Sequence, residues 1–325
     1  MKEKRLFKFG ILALSIVLIA CTGGSAEAGC PEIDGREINV VATTPMIGEF
    51  VSQVGGDNIN LTVLMPAEAD PHNYDPAPQD AGTIADADLV FYTGLKYEPA
   101  ALIKLLENSA CSAEVLAEVG ESVFPIEFKE GGHDDHDEEG HDDHAGHDHG
   151  AYDPHFWFDP NRVAYAAEYI ESKLVEFDPS NASEYEAAGK AYVTELKALV
   201  GQVSELISTI PSQNRKLITT HESLGYLEAK FGLEVLSTII PSLDSANEIS
   251  PSQLVGVIDV IEDNNVKVIF IEAEAPSVYA ETIVAETGIK AVEGLWVETL
   301  KEGQSYPEFL FDAVELIVEN LRNTD

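Results

Sequence analysis

Apolar runs rich in β-branched residues alternate with helical patterns along the chain, and this alternation restricts the fold more than any other feature. Strands that alternate with helices usually pair in parallel, because the helix carries the chain back before the next strand begins. The pattern starts again after residue 214, which indicates a second unit of the same kind. We therefore predict an α/β fold with two lobes, each a mainly parallel sheet flanked by helices. The predicted strands lie at residues 38–44, 60–66, 89–94, 216–220, 234–240, 266–273 and 289–296.

The most regular periodicity lies between the two halves. Apolar residues recur at steps of three or four from Tyr185 to Ile210, which predicts one helix of roughly 28 residues, about 42 Å long. Gly189 and Gly201 leave two shorter helices as the alternative, because glycine costs up to ~1 kcal/mol in a helix interior. The predicted order is an N-terminal lobe, a long connecting helix and a C-terminal lobe, at residues 37–179, 180–212 and 213–325.

The N-terminus has the composition of a secretory signal. Basic residues precede an apolar run of about ten residues, which is too short for a membrane span of about 20. The string Leu18-Ile19-Ala20-Cys21 resembles a lipobox, in which the signal is cleaved before a lipidated cysteine. We predict a signal peptide at 1–20, lipidation of Cys21, and a lipid-anchored tether at 21–36 on the outer face of the cytoplasmic membrane. A plain signal peptide or an uncleaved anchor helix is the alternative, and either places the mature chain outside the cytoplasm.

Two cysteines remain once Cys21 is lipidated, namely Cys30 and Cys111. Disulfides persist outside the cytoplasm, so these two residues are candidates for a bridge. The sequence does not show whether their Cα atoms come within the limit of about 7 Å, and two buried free thiols are the alternative.

The charge balance excludes one class of partner. The chain has 58 acidic and 19 basic residues and a formal net charge of −39. Such a field repels nucleic acid and anionic lipid surfaces and attracts cations, so we expect no nucleic-acid partner.

Most of the histidines lie in one acidic segment. Residues 129–150 have almost no hydrophobic side chains, which predicts a disordered insertion in the first lobe. Flexible clusters of histidine and aspartate bind Zn²⁺ weakly, and a tether raises the local metal concentration. We interpret the segment as a low-affinity metal-collecting loop, with an acidic spacer as the alternative. Its histidines are His133, His136, His141, His144, His147 and His149.

The other three histidines are His72, His155 and His221. The first two share the string Asp-Pro-His, and His221 directly follows a predicted strand. Proline fixes φ before the histidine, and ligands of open α/β sheets bind at the carboxyl ends of strands. Tyr74 and Trp157, each two residues further on, are expected to cover the imidazoles. Three neutral imidazoles suit Zn²⁺ best, with Mn²⁺ preferring more oxygen; a hydrogen-bonded structural role is the alternative for each histidine alone.

These motifs resemble those of the solute-binding lipoproteins of zinc and manganese ABC importers, the cluster A-I family. The resemblance covers almost everything from Ile38 to Leu321. It implies two lobes joined by one long helix, with the metal held in the cleft between them. The matching strings lie at residues 70–80, 85–99, 153–160, 176–199, 220–235 and 266–288, together with the acidic insertion rich in histidine.

The resemblance also implies the ligands. His72, His155 and His221 fall on the three histidine positions of the family. Manganese-selective members commonly have glutamate where His221 stands, so this residue favours zinc. The fourth family ligand is an aspartate, and Glu298 occupies its position here. Glu272, at the end of a predicted strand, is the alternative carboxylate.

The implied function is an extracytoplasmic receptor that captures Zn²⁺ and delivers it to an ABC permease and its ATPase. A Mn²⁺ receptor of the same family is one alternative, and a surface adhesin or zinc buffer without transport is another. A zinc hydrolase with Glu222 or Glu298 as general base is disfavoured, because the chain has no H-E-x-x-H motif. We expect a monomer without enzymatic activity.

Overall fold

A computed structural model describes Cys30, Ile33 and residues 35–128, 152–275 and 278–323. The predicted signal peptide, Cys21 and most of the tether lie outside the described residues. The same is true of the six histidines of the metal-collecting loop, which are His133, His136, His141, His144, His147 and His149.

The first lobe contains a parallel sheet of four strands in the order β2-β1-β3-β4. Its strands are β1 (Ile38–Ala42), β2 (Ile59–Val63), β3 (Leu89–Tyr92) and β4 (Leu116–Glu118). Its helices are α1 (Pro45–Gly55), α2 (Asp80–Ala85), α3 (Ala100–Ser109) and α4 (Pro160–Phe177). Strand β4 was not predicted from the sequence, because it has only three residues and none of them is β-branched.

The second lobe repeats the arrangement, with the strand order β6-β5-β7-β8 and parallel pairing throughout. The predicted α/β fold with two mainly parallel sheets is therefore confirmed. The strands are β5 (Lys216–His221), β6 (Glu234–Ile240), β7 (Val268–Glu272) and β8 (Lys290–Leu295). The helices are α6 (Gly225–Phe231), α7 (Pro251–Asn264), α8 (Tyr279–Thr287) and α9 (Tyr306–Leu321).

One unbroken helix connects the lobes, as predicted. Helix α5 (Ala182–Ser208) has 27 residues and is about 40 Å long. The alternative of two shorter helices is wrong, because both glycines lie inside the continuous helix. At Gly189 a Cβ atom would meet the carboxylate of Glu171 on α4, so the end of that side chain would have to move. The domain boundaries at 37–179 and 213–325 stay predictions.

Apolar packing also joins the lobes. The largest hydrophobic cluster runs from the first sheet through α5 into the second lobe, and its members include Val40, Phe91, Leu196, Phe270 and Phe309. Burying a large apolar side chain contributes about 1.5–3 kcal/mol, so this shared cluster is a substantial part of the stability. The lobes are therefore connected by a common core as well as by the chain.

The structure joins Cys30 and Cys111 in a disulfide, with Cα atoms 4.9 Å apart. Cys111 follows α3 and precedes β4, so the bridge fastens the start of the described chain to the amino-terminal edge of the first sheet. Among the described helices, none is both long enough and apolar enough to cross a membrane.

Candidate metal centre

Four side chains from separate segments come together where strands end. His72 lies in a short turn (Pro71–Asn73) after β2, and His221 is the last residue of β5. His155 directly precedes a second turn (Phe156–Phe158), and Glu298 follows β8. Parallel sheets bind ligands at their carboxyl ends, and His72, His221 and Glu298 occupy such positions, while His155 enters from the turn before α4.

The four side chains form one tight cluster. Each offers one ligand atom, and these atoms all lie within 4.8 Å of one another. Oε1 of Glu298 lies 3.4 Å from Nε2 of His72, 3.2 Å from Nε2 of His155 and 2.7 Å from Nε2 of His221. Ligands at about 2.0 Å around a tetrahedral Zn²⁺ are about 3.3 Å from one another, and the distances from Oε1 of Glu298 to His72 and His155 are close to this value.

Two ring nitrogens of the cluster indicate that a cation belongs there. Nε2 of His72 and Nε2 of His221 are buried and make no hydrogen bond within the described part of the chain. For His221 this holds although Oε1 of Glu298 is 2.7 Å away, because the direction is not that of a hydrogen bond. Buried polar atoms normally have a partner, and a metal ion would satisfy both nitrogens at once.

Carboxylates behind two of the imidazoles fix their orientation. Oδ1 of Asp153 lies 2.8 Å from Nδ1 of His155 and also accepts its backbone N–H. Oε2 of Glu272 lies 2.5 Å from Nδ1 of His221, and Oε1 accepts from the backbone N–H of His221 and the hydroxyl of Ser223. This arrangement places the proton on Nδ1 and leaves Nε2 free for a metal. Glu272, the alternative carboxylate of the sequence analysis, therefore supports His221 from behind and is not part of the cluster.

His72 is held more loosely than the other two histidines. Its Nδ1 lies 4.0 Å from Oδ1 of Asp244, a half-exposed residue of the second lobe. A cavity of about 550 Å³ adjoins His72, Tyr97 and Asp244. His155, His221 and Glu298 are completely buried, so the cluster meets solvent on the side of His72.

The charges in the cluster shift the titration of its members. Burial alone would lower the pKa of His155, but the carboxylates of Glu298 and Asp153 outweigh it and raise this pKa to about 9. The pKa of His221 is also raised well above its usual value, because Glu272 and Glu298 outweigh burial. Burial opposes ionisation of Glu298, yet the three histidines lower its pKa well below the usual range. Without a bound cation, these shifts leave Glu298 ionised and His155 and His221 protonated at neutral pH.

The loop that carries Glu298 is held by groups of both lobes. From the second lobe, Oε1 of Glu274 accepts the backbone N–H groups of Val297, Glu298 and Thr299 at 3.0, 2.9 and 3.3 Å. Burial raises the pKa of Glu274 to about 8. From the first lobe, Nε1 of Trp157 donates to the carbonyl of Val297 at 2.8 Å.

The aromatic surroundings differ from the expectation in one respect. Trp157 does pack against His155, with ring centroids 5.5 Å apart. Tyr74 does not cover His72: its hydroxyl turns to Asp80, 2.9 Å away. Tyr97 takes that place, with its ring 5.2 Å from the ring of His72. The roles of Tyr97, Glu274 and Asp153 were not predicted from the sequence. Only Asp153 had a signal, its position two residues before His155.

Comparisons with known proteins agree with this geometry. A family model described as "ZnuA: Zinc-uptake complex component A periplasmic" matches residues 40–320. The chain is 30% identical over 323 residues to the high-affinity zinc uptake system protein ZnuA of Bacillus subtilis (strain 168), covering 96% of each protein. It is 24% identical over 323 residues to the manganese-binding lipoprotein MntA of Halalkalibacterium halodurans, covering 98% of this chain and 99% of that one.

The solved structures give the same fold. The periplasmic zinc binding protein TroA from Treponema pallidum superimposes with a TM-score of 0.74 at 22% sequence identity. The match covers 88% of this chain and 99% of TroA. At this level of identity the likeness concerns the fold alone.

Proposed function

This chain belongs to the ZnuA family of solute-binding proteins, the cluster A-I lipoproteins of metal ABC importers, and from that premise we propose that it captures Zn²⁺ between its lobes. The family consists of receptors rather than enzymes. In our proposal the chain is held outside the cytoplasmic membrane by a lipid on Cys21, works as a monomer, and passes the ion to a permease driven by an ATPase.

The observation that carries the proposal is the donor set. The Nε2 atoms of His72, His155 and His221 lie 2.7 to 3.4 Å from Oε1 of Glu298, and no second carboxylate joins them among the described residues. Three nitrogens and one oxygen suit Zn²⁺, whereas Mn²⁺ prefers more oxygen ligands. Four protein ligands also leave no position for an activated water, which is the arrangement of a site that holds zinc without catalysing a reaction.

Mn²⁺ is the second candidate, because relatives of nearly full length are named as manganese-binding proteins. A competition experiment with Zn²⁺ and Mn²⁺ at equal free concentrations shows which of the two metals the chain prefers. Selective binding of Mn²⁺ by the purified chain would contradict the zinc proposal. A surface adhesin or zinc buffer would use the same cluster without a transporter. ATP-dependent Zn²⁺ uptake by vesicles containing the permease and ATPase, with and without this chain, separates transport from either of these roles.

The histidine-rich segment is proposed to collect metal for the cluster. Deleting residues 131–150 should leave one tightly bound Zn²⁺ per chain and remove only weaker equivalents, which isothermal titration resolves. Loss of the tight site on this deletion would count against the assignment of the cluster.

The central experiment is metal analysis of protein purified without added metal. We expect about one Zn²⁺ per wild-type chain and far less in His221→Ala, because this variant removes one of the four ligands. His144→Ala is the matched control, since it removes a histidine of the insertion. Equal zinc content in wild type and His221→Ala would overturn the proposed site.

A further inference from the structure

We propose that Tyr97 determines metal specificity by keeping the Glu298 carboxylate monodentate, which restricts the site to four ligands and disfavours Mn²⁺. The inference rests on the proposed function, because it requires a metal in the cluster of His72, His155, His221 and Glu298. It adds a residue that is not a ligand and that had no role assigned from the sequence, although it lies in the matching string at residues 85–99.

The two oxygens of Glu298 have different partners. Oε1 faces the three imidazoles, with Nε2 distances of 2.7 to 3.4 Å. Oε2 lies 2.9 Å from the hydroxyl of Tyr97. This hydroxyl is also 3.0 Å from the main-chain carbonyl of Glu298, and the ionised carboxylate is the stronger acceptor of its one proton. Oε2 is therefore engaged by the tyrosine while Oε1 is directed to the metal position.

Burial and ring contacts hold the side chain of Tyr97 in place beside Glu298. Its side chain is 2% exposed and lies edge-on to His72 and Trp157, with centroids 5.2 Å away in both cases. Both groups near its hydroxyl, Oε2 and the main-chain carbonyl of Glu298, are acceptors, so the hydroxyl acts as the donor.

The turn before Tyr97 fixes the direction of the ring. Gly94, Leu95 and Lys96 all have left-handed backbone conformations, with φ of 76°, 53° and 63°. Buried Glu98 closes this turn, because its two oxygens accept the N–H groups of Thr93 at 2.6 Å and Gly94 at 2.9 Å. A tight turn that is tied at its base holds the tyrosine hydroxyl against the opposite lobe.

The engaged oxygen affects the two metals differently. Zn²⁺ is satisfied by four ligands in a tetrahedron, whereas Mn²⁺ prefers oxygen donors and a larger coordination number. A bidentate carboxylate would supply an additional oxygen. Oε2 of Glu298 can turn towards the metal only if its hydrogen bond to Tyr97 breaks. The free-energy cost of breaking this bond therefore weakens the binding of Mn²⁺ more than that of Zn²⁺.

Tyr97→Phe tests the inference, because it removes the hydroxyl and keeps the ring. We expect the ratio of the Mn²⁺ to the Zn²⁺ dissociation constant to fall about tenfold, which corresponds to about 1.4 kcal/mol. Chelator competition measures both constants. The control is Tyr185→Phe, which removes another buried tyrosine hydroxyl, bonded to Asp178 at 2.8 Å and outside the cluster. The control should leave the ratio unchanged.

The visible spectrum of bound Co²⁺ reports coordination number directly, because four-coordinate Co²⁺ absorbs much more strongly than five- or six-coordinate Co²⁺. We expect a strong band for wild type and Tyr185→Phe and a weaker band for Tyr97→Phe. A five- or six-coordinate spectrum of the wild type would overturn the inference without reference to any variant.

The remaining outcomes separate the inference from the proposed function. If Tyr97→Phe binds metal with an unchanged ratio, or weakens both metals equally, the role of Tyr97 in specificity is wrong and the receptor proposal stands. If wild type binds no metal tightly, the receptor proposal fails and the inference fails with it.

Discussion

Removing the disulfide should destabilise the protein without changing metal binding. The bridge between Cys30 and Cys111 encloses three of the four strands of the first lobe, together with α1, α2 and α3. In the double variant Cys30→Ser/Cys111→Ser the folded contacts of these elements persist, while the unfolded chain gains the freedom that the cross-link removes.

The length of the closed loop gives the expected size of the effect. The two cysteines are 81 residues apart, and the loop-entropy relation gives about 4.5 kcal/mol at 25 °C for this length. Native disulfides of small secreted domains contribute about 2–5 kcal/mol, and whole domains are stable by only about 5–15 kcal/mol. The loss should therefore be a large fraction of the stability of the first lobe.

Urea unfolding of the metal-free protein measures the change. We expect the transition of the double variant to move to lower urea by the equivalent of several kcal/mol, and reduced wild type to behave like the variant. Zn²⁺ affinity is the internal control, because Cys111 lies at the edge of the sheet opposite the carboxyl ends. A change in unfolding free energy below about 1 kcal/mol, or a large change in Zn²⁺ affinity, would refute the reasoning.

Three further predictions concern the cluster and its support. The pKa of His155 is about 9 and that of His221 is also raised, so Zn²⁺ must displace protons from these imidazoles at neutral pH. The Zn²⁺ affinity should therefore rise as the pH rises to about 9, roughly tenfold per pH unit for each proton displaced. Calorimetry in buffers of different ionisation enthalpy counts these protons, and binding without proton release would contradict the protonated cluster. Asp153→Asn, which weakens the support of His155, should lower Zn²⁺ affinity about 10- to 100-fold in chelator competition, and an unchanged affinity would refute this role of Asp153. Trp157→Phe leaves the buried carbonyl of Val297 unpaired and should lower the unfolding free energy by about 1–3 kcal/mol; an unchanged urea midpoint would refute this.

The sequence predicted the general fold because both lobes use long apolar strands separated by helices. Strand β4 (Leu116–Glu118) was not predicted, because it is shorter than a typical strand and has no β-branched or aromatic side chain. Helix α5 was predictable from its apolar period, although only the structure shows that Gly189 meets α4 closely.

The candidate ligands were predictable for a different reason. Histidine is rare outside the acidic insertion, so His72, His155 and His221 were conspicuous, and the family resemblance supplied Glu298. The supporting contacts were not predictable, because they join residues far apart in the chain. Tyr97 and Glu298 are 201 positions apart in the sequence, and nothing in the residues around either one predicts their contact.

The double attachment of the loop at residues 297–299 gives the protein a natural optical probe. If the lobes part, either the three N–H bonds to Glu274 or the bonds from Trp157 and Tyr97 must break. Fewer hydrogen bonds join the loop to Trp157 and Tyr97 than to Glu274, so we expect the bonds from Trp157 and Tyr97 to break first. Trp157 and Trp296 are the two tryptophans of the chain, and both adjoin this loop. Intrinsic fluorescence would therefore record opening without any introduced label.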